Sequence, residues 1–169
     1  MNLIKFYLKI TLFCFFLVVI PLSVHANNEA IIESTVYYVE ENSYFYENNT
    51  FDKIFARGID SINYFSDEIF IRILEISNTN LKINIKTGNK DENINLRKNN
   101  NLVDVGKNLN LIINLLEEKN VINDKDSPLA YHVANAVLQE IDDYSSIIEP
   151  DDLNQFLVET KGSFGGIGI

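Results

Sequence analysis

Residues 81–86, with the sequence LKINIK, decide the fold class, because apolar and polar side chains alternate strictly over all six positions. Successive side chains of a strand point to opposite faces, so this pattern predicts a strand with one apolar face. At 69–74, isoleucine occupies every second position and alternates with Phe70, Arg72 and Leu74, and residues 94–96 (INL) repeat the alternating pattern more weakly. The sequence therefore predicts an antiparallel β-meander of two or three strands at about 69–97.

A sheet this small needs a helix against its apolar face. The flanking sequence supplies helical periodicity, most clearly at 51–65, where apolar residues recur at steps of three and four. Residues 28–42 fit a helix, although 35–39 (TVYYV) also suit a strand. The fold class predicted is α+β, mainly helical, with amphipathic helices packed against the small meander. The predicted helices cover 28–42, 51–65, about 109–120, 128–141 and a last segment that opens at Pro150, with Leu153, Phe156 and Leu157 expected on its buried side.

The N-terminal segment has the pattern of a secretory signal. Lys5 and Lys9 precede an apolar run at 10–20, and Ala26 offers a small residue at a cleavage site. We expect a signal peptide over 1–26, which predicts export to the periplasm. The apolar run is short for a membrane span of about 20 residues. An uncleaved signal that anchors the chain in the inner membrane remains the alternative.

The charge and the cysteine content exclude several classes of function. The chain carries 14 Lys and Arg against 24 Asp and Glu, a net charge of −10, and the first 26 residues hold two of the basic groups and none of the acidic ones. This balance argues against nucleic acid and anionic membranes as partners. The single cysteine, Cys14, lies in the predicted signal. The exported part is therefore expected to have no disulfide, no thiol nucleophile and no Cys-based metal site, and we predict no cofactor.

A few polar residues could carry chemistry, but each has a simpler structural explanation. His132 lies midway along a predicted helix, without a nucleophile and an orienting acid at suitable spacing. Asp142 and Asp143 fit a turn with Ser145 and Ser146 better than paired acid–base carboxylates. Asp151 and Asp152 form another candidate pair, but acids are expected in the first turn of a helix. Lys161 and Ser163 could form a Ser-Lys dyad, but they lie in a glycine-flanked loop that positions such a dyad poorly.

The glycine-rich run at the C-terminus is the strongest candidate for a binding element. Glycines let successive backbone N–H groups turn toward one point, which forms a concavity for an anion such as a peptide carboxylate, and a following strand edge can pair with an extended peptide. A plain glycine-rich hinge explains the same spacing equally well. The candidate peptide-binding residues are Phe164, Gly165, Gly166, Ile167 and Gly168; no catalytic and no metal-binding residue is predicted.

Residues 127–169 resemble the segment that leads into the PDZ domain of the carboxyl-terminal processing peptidases, or tail-specific proteases. In that family a helix ends in a short turn, a Pro-opened helix follows, and a Thr-x-Gly-x-Phe-Gly-Gly-Ile-Gly run comes next. The corresponding parts are the turn at 141–145, the helix from Pro150 and the run at 160–169. Asp143-Tyr144 stand where the family usually has Pro-His.

The resemblance implies a periplasmic serine peptidase of the Ser-Lys type whose PDZ domain captures the C-terminal tails of proteins. It implies that 27–160 form a helical N-terminal region and that 161–169 are the truncated start of a PDZ domain. The family's catalytic Ser and Lys lie downstream of the PDZ domain, so none is expected in this chain, which should be inactive alone. Homodimerisation is left open. The alternative is a non-catalytic periplasmic binding or dimerisation module.

Overall fold

The computed structural model describes residues 28–42, 51–122 and 128–161. Within these ranges the chain forms five helices and one three-stranded antiparallel sheet. The predicted α+β class is confirmed, the meander has three strands, and residues 28–42 are helical rather than extended. The elements are α1 Asn28–Asn42, α2 Phe51–Phe65, β1 Ile69–Ile76, β2 Asn80–Thr87, β3 Lys90–Arg97, α3 Leu102–Glu118, α4 Pro128–Ile141 and α5 Pro150–Lys161.

The sheet has the order β1-β2-β3, and its alternation creates one buried face. The cross-strand pairs of that face include Ile71 with Ile85 and Leu81 with Leu96, and all four side chains are buried. The link between β2 and β3 is only two residues long and begins with Gly88, whose φ of 55° suits glycine. Glycine at the first position of a two-residue hairpin loop is typical of type II′ turns.

Helix α3 begins earlier than the apolar pattern indicated, at Leu102. Asn101 caps it, because its side-chain oxygen accepts a hydrogen bond of 2.7 Å from the Asp104 N–H. The carboxylate of Glu40, at the end of α1, accepts another of 3.0 Å from the Leu102 N–H. This second cap comes from a residue distant in sequence, so it joins α1 to the start of α3. At the other end, Asn120 leaves the helix with a φ of 54°, a common helix-terminating conformation for Asn.

Helices α2 and α3 each pack on three other elements. Helix α3 lies against α1, α2 and β3, while α2 also packs on β1 and α4, and α1 on α4. Helices α3 and α1 approach closely at Gly106: a Cβ added there would lie 2.6 Å from Cγ2 of Val36, which is fully buried. Because Gly106 has no side chain, α3 and α1 can approach each other closely at this position.

The C-terminal helix α5 differs from the expectation for its buried side. Leu153 and Phe156 are exposed, at 43% and 45%, and Leu157 is only half-buried. The amphipathic pattern was correctly recognised, but among the described elements no helix or strand packs extensively against α5. A helix buries its apolar face only where another element covers it.

We predict that Gly106→Ala destabilises the protein by about 1 kcal/mol, although alanine favours an isolated helix by about 1 kcal/mol relative to glycine. The added methyl group would overlap Val36, and overpacking a filled core costs about 1–3 kcal/mol. Urea unfolding followed by circular dichroism measures the change, with Lys107→Ala on the exposed side of α3 as control. A gain in stability for Gly106→Ala would show that the two helices separate freely.

Candidate functional site

The five candidate peptide-binding residues, Phe164 to Gly168, lie outside the described residues. The same holds for the predicted signal peptide at 1–26 and for Ser163, one half of the candidate Ser-Lys pair. The side chain of Lys161, its other half, is likewise outside the described part. The structure therefore bears on the segment that leads to the glycine-rich run, which consists of α4, the loop after it and α5.

His132 forms no catalytic pair with any of the described residues. It is exposed on α4, and its ring lies 6.2 Å from that of Phe65 at an interplanar angle of 48°. Within the described residues it has no hydrogen bond and no ion pair, so no acid orients it. The apolar face of α4 turns its aliphatic residues inward and leaves His132 exposed. No group of three or more metal-ligating residues is found in the described ranges.

Asp142 organises the turn that follows α4, as its sequence position predicted. Its carboxylate accepts hydrogen bonds from the Ser145 hydroxyl, at 2.7 Å, and from the Tyr144 N–H, at 3.2 Å. The Ser145 N–H also donates to the Asp142 carbonyl oxygen, at 3.0 Å. The Ser145 hydroxyl, followed by the Tyr144 amide, lowers the pKa of Asp142 below its ordinary value of 3.8, because both donors stabilise the charged carboxylate. The group has a structural role in a turn, and nothing in its surroundings suits acid–base catalysis.

A side-chain amide of α4 fixes the extended segment after this turn. Asn135 Oδ1 accepts a hydrogen bond of 2.8 Å from the Ile147 N–H, and its Nδ2 donates one of 3.1 Å to the Ile147 carbonyl oxygen. The amide thus satisfies both backbone groups of one residue, as a neighbouring strand would. Asn63 of α2 binds the N–H and carbonyl of Ile71 in the same way, at 2.7 and 3.0 Å, on the outer edge of β1. Sequence reasoning missed both clamps, since an Asn within a helix gives no local signal of its partner.

An apolar groove lies beside the clamped segment. It has a volume of about 570 Å³ and runs between α1, the end of α4 and the loop after it. Tyr38 and Tyr144, on its rim, are 68% and 95% exposed. We call it the exit groove, because the chain passes it on the way to α5 and the glycine-rich run; its lining includes Thr35, Tyr38, Val39, Leu138, Tyr144 and Ile147.

Comparison with protein-family models, with curated proteins and with solved structures returns no match to this chain. In the described ranges, no helix has both the length and the apolar character needed to cross a membrane. Functional inference therefore depends on the residues themselves. The geometry offers an apolar groove and a fixed exit segment, and the contact between the Ser145 hydroxyl and the Asp142 carboxylate belongs to an exposed turn.

We predict that Ser145→Ala raises the pKa of Asp142 toward 3.8, because the strongest donor to its carboxylate is lost. In the unaltered protein the Asp142 carboxylate is charged at neutral pH, so its hydrogen bonds hold the turn. These bonds are lost only as the pH falls below 3.8 through the lowered pKa and the carboxylate is protonated. Carbon-13 NMR titration of the Asp142 carboxyl measures the shift. Ser146→Ala serves as the matched control, because Ser146 does not bond to Asp142; an equal shift in both variants would contradict the assignment.

We predict that Asn135→Ala destabilises the protein by about 1–3 kcal/mol, because two backbone groups of Ile147 lose their partner. Hydrogen exchange followed by NMR should show faster exchange of the Ile147 N–H. The Ile71 N–H, held by Asn63, should be unaffected and serves as an internal control. Unchanged exchange at Ile147 would show that the clamp does not hold the segment in solution.

Proposed function

We propose that this chain forms the non-catalytic N-terminal region of an exported carboxyl-terminal processing peptidase of the Ser-Lys type. The observation that carries the proposal is the order of α4, a hydrogen-bonded turn and the Pro-opened α5 directly before the run at 160–169. This is the order to which the resemblance points. The Asp142 turn occupies the place of the family's Pro-His turn and uses hydrogen bonds where Pro would restrict the backbone.

The role proposed for this region is mechanical support. Asn135 and Asp142 fix the chain on both sides of Tyr144, so the path from the helical body toward α5 is defined at two points. Such rigid support lets a following domain keep its orientation relative to the body. In the proposed protein, Phe164 to Gly168 begin the PDZ domain and contribute backbone N–H groups that bind the terminal carboxylate of a substrate tail.

Isolation of the natural protein tests this function. An antibody against the meander at 69–97 is used to purify it from the envelope fraction of the cells that produce it. We expect a polypeptide larger than the 169-residue chain that cleaves a peptide with a free terminal carboxylate. The same peptide with an amidated terminus should resist cleavage, because the carboxylate is what the glycine-rich run is proposed to bind. A polypeptide no larger than this chain, without activity on either peptide, contradicts the proposal.

The exposed apolar surface favours one second candidate, a periplasmic binding or dimerisation module. Leu153 and Phe156 of α5 present apolar side chains to solvent, as do the two tyrosines at the exit groove, and exposed apolar surface of this kind often marks interaction sites. Sedimentation of the purified chain distinguishes the two functions. A concentration-dependent dimer that is abolished by Phe156→Ser, with no peptidase in the natural preparation, supports the module; a monomer argues against dimerisation.

A further inference from the structure

The basic residues of this acidic chain are concentrated in the sheet. Of the 14 Lys and Arg, five lie at 69–97, together with only three of the 24 Asp and Glu. The remaining 9 basic and 21 acidic residues belong to the rest of the chain. The sheet is therefore a cationic region on a protein whose other parts are strongly anionic.

Strand register shows which face carries these charges. Phe70 pairs with Lys86, Arg72 with Asn84 and Glu75 with Lys82, so these residues point away from the buried isoleucines. Arg97 pairs with Asn80 on the same face. We call this surface the outer face of the sheet; it consists of Phe70, Arg72, Glu75, Asn80, Lys82, Asn84, Lys86, Asp91, Asn93, Asn95 and Arg97.

The cations of the outer face are not neutralised by their neighbours. The register places Lys82 opposite Glu75 and Lys86 opposite Asp91, yet neither pair forms a salt bridge. Asp91 instead accepts a hydrogen bond from the side-chain amide of Asn84. In the described ranges the one salt bridge joins Lys119 to Glu92, away from this face. The positive charge of the face is thus available to a partner.

Arg72 is held in a defined position on this face. Its guanidinium lies 5.5 Å from the centre of the Phe70 ring, a cation–π arrangement, and one of its nitrogens is 3.4 Å from Asn84 Oδ1. Asn84 is itself only 6% exposed, and it donates hydrogen bonds across the sheet to Asn93 and to the Glu92 carbonyl. A guanidinium has five N–H donors, so most remain for a ligand. Because Arg72 is already ordered, it loses less conformational entropy on binding a carboxylate than a free side chain would.

We infer that the outer face of the sheet binds an acidic polypeptide segment. Carboxylate groups match the unpaired cations, while Phe70, which is 50% exposed, and the surrounding asparagines suit the apolar and amide parts of a polypeptide. A nucleic acid fits less well, because its uniform phosphate charge would meet Glu75 and Asp91 and the anionic remainder of the chain. A second copy of the chain also fits less well, because a two-fold contact would bring the same positive charges together.

Fluorescence anisotropy with defined probes tests this inference. The probe is a labelled 12-residue peptide with alternating Glu and Ser, compared with one in which Gln replaces Glu. We expect the Glu peptide to bind, the Gln peptide not to bind, and about 1 M NaCl to abolish binding by screening. The double variant Lys82→Gln/Lys86→Gln should weaken binding about threefold or more, since each exposed charge pair contributes modestly. Lys53→Gln/Lys107→Gln removes the same charge from exposed helical positions and should leave binding unchanged.

Several results would overturn the inference. Absence of binding, equal binding of the Glu and Gln peptides, or equal weakening by both double variants would each do so. Tighter binding of a single-stranded oligothymidylate of the same charge would assign the face to nucleic acid instead. All four lysines replaced by Gln in these variants have exposed or half-exposed side chains. Thermal unfolding curves identical to that of the unaltered protein confirm that the fold is intact.

Discussion

The three-stranded sheet has one apolar face, and that face is stable only because α2 and α3 exclude water from it. An isolated meander of this size is marginal in water. Helix α3 contributes Leu109, Ile112 and Ile113 to the core, all of them fully buried. Burial of such a side chain stabilises by about 1.5–3 kcal/mol. The same helix packs on α1 at Gly106, so the position of α1 depends on α3 as well, while α4 completes the core against α1 and α2.

Two asparagine clamps extend the order of the helices to neighbouring segments. Asn63 and Asn135 each bind both backbone groups of one residue in an extended stretch. Without them, the N–H and carbonyl of Ile71 and Ile147 would need other partners, and an unpaired buried backbone group is costly. The first clamp protects the outer edge of β1 at Ile71, which would otherwise offer its backbone groups to another strand. The second directs the chain toward α5.

The sequence predicted the helices and strands better than it predicted how they pack against one another. Strict alternation at 81–86 and the helical period at 51–65 were sufficient for β2 and α2, because each has a face fully buried by its neighbours. The start of α3 was missed because the prediction followed the apolar pattern from Leu109 onward, although Asn101 is a local cap; the second cap, Glu40, is far away in sequence. The buried side predicted for α5 was wrong because amphipathicity shows that a helix has an apolar face, whereas tertiary packing decides what covers it. The clamps could not be predicted, since they depend on side-chain contacts between distant segments. The alternation at 81–86 already places Lys82 and Lys86 on the polar face of β2, whereas their neighbours on that face follow from the strand register.

These features lie on different surfaces of the described part of the chain. The buried face of the sheet anchors the core, the outer face carries unpaired cations, and the Asp142 turn with Asn135 holds the path toward the glycine-rich run. The central claim is that this region supports a domain that follows the glycine-rich run. Reading the coding sequence beyond the codon for Ile169 in all three frames tests it most directly. The account predicts a frame that continues into a PDZ-like stretch and a region with a Ser and a Lys. A stop codon, with no such region downstream in any frame, would contradict it.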